Sequence, residues 1–138
     1  MNHASRILVY LTIIYVGAVQ AQLAVVLSPA RIEGQKAIVS LTMTNYLAKS
    51  VESARANCFL LDERGTMVGQ STKWVIGGTK ARPALQPKSG TTFNFVITSP
   101  QPWMTTNVTA KISFSRVVLD SGKLADVRQD VSVVTAEK

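Results

Sequence analysis

Two residue types that carry much of enzyme chemistry are almost missing from this chain. One histidine, His3, and one cysteine, Cys58, occur in 138 residues. His3 lies in an N-terminal segment that reads as removable, so the remainder has no imidazole. That excludes Ser-His-Asp and Cys-His nucleophile systems. It also removes the His and multiple Cys that zinc and copper sites prefer. Carboxylates are left. Asp120, Asp126 and Asp130 surround the last turn, and Asp62-Glu63 sits on another. Oxygen ligands of this kind suit Ca²⁺, but the Asp-x-Asp-x-Asp-Gly loop is missing, and turn formation accounts for them. Their spacing supports no glycosidase pair. Gly77-Gly78 precedes no Gly-Lys-Ser/Thr, so it is not a phosphate loop. The expectation is a protein without catalytic activity, metal or cofactor.

Binding residues are easier to name. Trp103 sits in Pro100-Gln101-Pro102-Trp103-Met104, a loop at one end of the expected fold. A large aromatic there can stack on a sugar or anchor a partner, or it can fold back and cap the core. Lys80, Arg82 and Lys88 line one long connection and could form an anion patch, or could simply be solvated. Trp74 reads as core. Cys58 alternates with Ala54, Ala56 and Leu60, which fits a small buried hydrophobe better than a redox thiol. Asn107-Val108-Thr109 fits a glycosylation acceptor, relevant only in a eukaryotic host.

These residues must be held by strands. Leu23 to Leu27 is apolar and stops at Ser28-Pro29, as a first edge strand would. Ala37 to Asn45 alternates, with Val39, Leu41 and Met43 on one side. Val51 to Leu61 alternates again, and Asp62-Glu63-Arg64-Gly65 turns it into Thr66 to Ile76, with Met67 and Trp74 as apolar anchors. Gly77 to Gly90 is a long connection. Thr91 to Thr98 points Phe93, Phe95 and Ile97 inward. Asn107 to Leu119 alternates through Val108, Ala110, Ile112 and Phe114. Asp120 to Lys123 reads as a hairpin turn, after which Val127 to Val134 returns as the last strand. About seven strands with turn signals between them predict an all-β fold: a single immunoglobulin-like antiparallel β-sandwich.

Residues 1–21 predict a signal peptide. Met1 to Arg6 is short, polar and singly charged, Ile7 to Val16 is apolar apart from Thr12, and small residues lead to a cut after Ala21. The apolar stretch is shorter than the ~20 residues of a membrane-spanning helix. The rival is an uncleaved anchor running on to Leu27, with Gln20 and Gln22 in the bilayer. Only then would the protein be membrane-bound. Residues 22–138 form the expected domain. Without Arg6 it holds 14 of the 15 Lys+Arg against 8 Asp+Glu, a net +6. Positive charge in an exported protein favours anionic partners such as acidic proteins and cell-wall polymers. Nucleic acid would use the same electrostatics, but the compartment argues against it. The single Cys58 leaves no intramolecular disulfide, and 117 residues can hold a core without one.

Thr44-Asn45, Val51 to Asp62, Gly65, and Leu85-Gln86-Pro87-Lys88-Ser89-Gly90 before Phe93 and Phe95 resemble the FxLYD-type domain. Such domains are small exported bacterial sandwiches. The likeness runs over about Ile38 to Ile97. The naming motif falls on Cys58-Phe59-Leu60-Leu61-Asp62, where Cys58 stands for the Phe and Leu61 for the Tyr. The resemblance implies architecture, export and a bacterial host, but no particular activity. Ser28 to Ile32 and Val39 to Asn45 also look like the first strands of the N-terminal sandwich of periplasmic pilus chaperones, whose second domain this chain is too short to hold. The functional expectation is an exported, periplasmic or secreted interaction module. It would bind another envelope protein through loops or a strand edge. The alternative is a cell-wall or glycan binder using Trp103 and the basic connection.

Overall fold

A computed structural model describes residues 21–136. Apart from Ala21, the expected signal peptide lies outside the described residues. Eight strands form in chain order: β1 (Leu23–Leu27), β2 (Arg31–Glu33), β3 (Lys36–Asn45), β4 (Val51–Leu61), β5 (Met67–Ile76), β6 (Gly90–Thr98), β7 (Thr109–Leu119) and β8 (Val131–Thr135). One helical turn, α1 (Val127–Asp130), precedes β8. Among the described residues no helix is long and apolar enough to cross a membrane.

The strands make two sheets packed face to face, a β-sandwich. In the larger sheet β3 pairs with β6 along one edge and with β2 and β1 in turn along the other, and β8 lies outside β1. In the smaller sheet β4 is central, with β5 and β7 at its sides. The first strand is split in two because Pro29 cannot donate to the ladder. Ser28 bridges the break: its amide bonds to the Ser40 carbonyl, and its hydroxyl accepts from the Ser40 amide, both at 2.9 Å.

Alternation decides which side of each strand is buried. Val39, Leu41 and Met43 of β3 are fully buried, as are Ala54, Ala56, Cys58 and Leu60 of β4. Phe95 and Ile97 of β6 and Ala110, Phe114 and Val117 of β7 complete the core. Phe93 is half-buried and meets Phe95 edge-on, with ring centroids 5.1 Å apart.

Four expectations need correction. β1 is not an edge strand, because it lies between β3 and β8. Trp74 is not core. It sits opposite Arg55 on the outer face of the smaller sheet, half-buried, and Val75 and Ile76 fill the interior instead. Met67 is likewise no anchor, being 49% exposed. The cause is a pair of register shifts at the two ends of the β4–β5 ladder, which move β5 out of simple alternation. The last strand is also placed differently. β8 does not fold back on β7. It crosses to the other sheet and runs parallel to β1, with Val25 opposite Val133 and Val26 opposite Val134.

The connection before β8 has a local cause. Asp120–Gly122 forms a tight helical turn, and the Leu119 amide bonds to the Lys123 carbonyl at 2.7 Å. The Asp126 carboxylate then accepts from the Arg128 amide at 3.0 Å, and Asp130 accepts from the Asp126 amide at 2.8 Å. This reciprocal capping fixes α1, and α1 redirects the chain. Both carboxylates are thereby engaged with backbone.

Candidate functional site

Among the described residues, β7 has a neighbouring strand on one side only. Its ladder with β4 runs from Leu61↔Thr109 to Val51↔Leu119. On its other edge, Val118 bridges to Leu124 and the Ala125 amide bonds to the Val117 carbonyl at 2.9 Å, so the C-terminal end is covered. From Thr109 to Arg116 no strand of the described residues pairs with that edge, because β8 has gone to β1. The open length is eight residues, which is ample for strand pairing.

The side chains along this edge divide by face. Inward lie Ala110, Ile112 and Phe114. Ile112 is only half-buried, although Cys58 opposite it is fully buried. β8 flanks the same seam of the sandwich. Val133 shares its face with buried Val25, so it points inward, yet it is 41% exposed. β7 and β8 meet at a cavity of about 80 Å³ lined by Pro29, Ala30, Val108, Ala110 and Thr135 among others. Inward-facing apolar residues thus stay wet on both sides of the seam.

Outward lie Lys111, Ser113 and Arg116, all exposed. Arg116 stands directly opposite Arg55 of β4, a like-charge pair that costs stability. The Arg55 guanidinium rests 5.9 Å from the Trp74 ring centroid, which orders it without neutralising it. The one ion pair among the described residues joins Arg31 and Glu33 on the other sheet, so neither Arg55, Lys111 nor Arg116 has a carboxylate partner. Trp74 in turn backs onto Gly78, where a Cβ would fall 2.5 Å from Trp74 Cγ.

The residues expected from sequence lie elsewhere and apart. Trp103 is half-buried and packs on the core. A Cβ on Gly69 would come within 3.2 Å of its Cη2, so the bare Gly69 backbone makes room for the ring. Its Nε1 is buried without a hydrogen-bond partner among the described residues. The remaining face lines a groove of about 350 Å³ with Asp62, Val68 and Ser99 to Thr105. Lys80, Arg82 and Lys88 belong to the connection at the opposite end of β5, about 23 Å away at 3.3 Å per residue. Arg82 lies over the Phe93 ring at 5.2 Å and lines a second groove of about 410 Å³. Lys88 adopts φ 66°, and its amide bonds to the Asn45 carbonyl. Lys80 is exposed on the same connection. The four therefore form no single surface.

Cys58 is fully buried, and burial pushes its thiol up to about 11. A thiol so placed is protonated at neutral pH and is a poor nucleophile.

No protein-family model, curated protein or solved structure matches this chain.

Proposed function

We propose that the protein is an exported interaction module that binds another envelope protein by adding a strand at the β7 edge. The observation that carries this reading is the unpaired stretch from Thr109 to Arg116. An exposed edge offers a row of free backbone donors and acceptors, and a partner strand satisfies them at little cost in shape change. The half-wet Ile112 and Val133 beside it add apolar area for a partner to cover. Export rests on the N-terminal pattern, and the likeness to FxLYD-type domains agrees with it. The absence of histidine after residue 3 argues against a catalytic role.

Photocrosslinking in the native host tests the reading. A crosslinker at Ser113 on β7 is compared with one at Thr92 on the far edge of the larger sheet. The expected result is one dominant protein adduct from Ser113 and none from Thr92, on a chain beginning near Gln22. Equal labelling from both positions, or no protein adduct from Ser113, contradicts it.

A further inference from the structure

We infer that the segment accepted at β7 is an extended strand of alternating character, with acidic residues along its outer row and apolar residues along its inner row. This rests on strand addition at β7 and adds the chemistry of the partner.

The argument starts from the period of two. A strand laid beside β7 continues the smaller sheet, so its side chains fall alternately on the outer face and in the seam. Its outer row then lies beside Lys111, Ser113 and Arg116, with Arg55 one strand further in. All three cations are exposed and none has a carboxylate partner among the described residues. Carboxylates at those positions would neutralise Lys111 and relieve the Arg55–Arg116 opposition. Its inner row faces the seam, where Ile112 and Val133 are left partly in water and a small cavity opens between Pro29 and Ala110. Apolar side chains there would bury what the sandwich itself leaves uncovered.

The same charges argue against other occupants. A second copy pairing edge to edge would bring Lys111 and Arg116 against their own kind, a like-charge penalty that disfavours self-association. Nucleic acid carries a charge every ~3.4 Å along each strand. Lys111 and Arg116 lie about 13 Å apart along a β7 that carries one bulge, a sparse pattern suited to occasional carboxylates.

A peptide panel tests this with the full chain. Three eight-residue peptides alternate valine with glutamate, serine or lysine, and each carries one photoreactive group. Binding is followed by fluorescence anisotropy, and crosslinks are mapped by mass spectrometry. The valine–glutamate peptide is expected to crosslink within residues 109–116 and to bind about tenfold tighter than the valine–serine peptide, the gain of two or three exposed charge pairs. That advantage should vanish in the Lys111→Gln, Arg116→Gln double variant, whose exposed substitutions leave the fold intact. Equal binding of the glutamate and serine peptides overturns the acidic partner while leaving strand addition standing. Crosslinks from every peptide that miss β7 overturn strand addition itself. An acidic polysaccharide that displaces the glutamate peptide, while no peptide protects β7 amides from exchange, would make the outer face a polymer site and overturn the proposal. Concentration-dependent dimers crosslinked between two β7 strands would also overturn it.

Discussion

Replacing Asn45 by alanine removes three hydrogen bonds, one of them in the interior. Its Nδ2 donates to the Lys49 carbonyl at 2.9 Å and the Leu85 carbonyl at 3.0 Å, and its Oδ1 accepts from the Leu47 amide at 2.9 Å. The side chain itself is fully buried, whereas Leu47 is half-buried, Lys49 is exposed, and the Leu85 carbonyl also accepts from the Val51 amide. Asn45→Ala is expected to lower stability by about 3 kcal/mol, read as a shift in the denaturant midpoint. Cys58 makes a different prediction. Its folded thiol titrates near 11 against an ordinary value of 9.0. Between those values the unfolded chain has lost the proton while the folded one holds it. Stability therefore falls as pH rises from 9.0 towards 11, and the contribution is fully present below 9.0. Cys58→Ala should flatten that part of the stability–pH curve relative to the natural chain. The sequence placed Asn45 at the end of an alternating strand, before a polar turn, without assigning it a buried role. The structure supplies the reason for an asparagine there: one side chain closes the loop after β3 and pins the segment at Leu85.

At the scale of elements, strands with one apolar face could be read, and the bulged β5 and the placement of β8 could not. β3, β4, β6 and β7 each bury one face against the other sheet, so their alternation is enforced and visible. β5 is an edge strand with bulges at both ends of its pairing, and its inward and outward positions do not follow from counting by two. That moved Trp74 to the outer face, while Trp103 packs on the core, the folded-back alternative for its loop. The turn at Asp120 was also visible, but a turn signal does not say which sheet the next strand joins. The capped α1 sends β8 to β1, and the open edge of β7 is the consequence. The Arg55–Arg116 opposition marks that edge energetically. Arg116→Thr should raise the stability of the free protein by about 0.3 kcal/mol by removing a like-charge pair. The same change should weaken capture of the acidic strand. A gain in stability coupled to a loss in binding, measured by thermal melting and by anisotropy, separates a functional charge from a decorative one.

The whole molecule is a sandwich with unequal margins. On one side β5 and β6 end the two sheets, with Arg82 of the long connection lying over Phe93, and on the other β7 and β8 are separate edges. The fold class was legible because about seven short strands with turn signals between them could be read, the three-residue β2 being the eighth, and because scarce charges leave a core to bury. The candidate site was not, since it arises from which strand fails to meet which. The account stands on the openness of β7, and residue-resolved amide hydrogen exchange on the free full chain tests that directly. Between Thr109 and Arg116, amides bonded to β4 should be protected, and those on the outer edge should exchange fast, in alternation. Uniform protection along that stretch would mean the edge is already covered in the free protein, and would contradict the central claim.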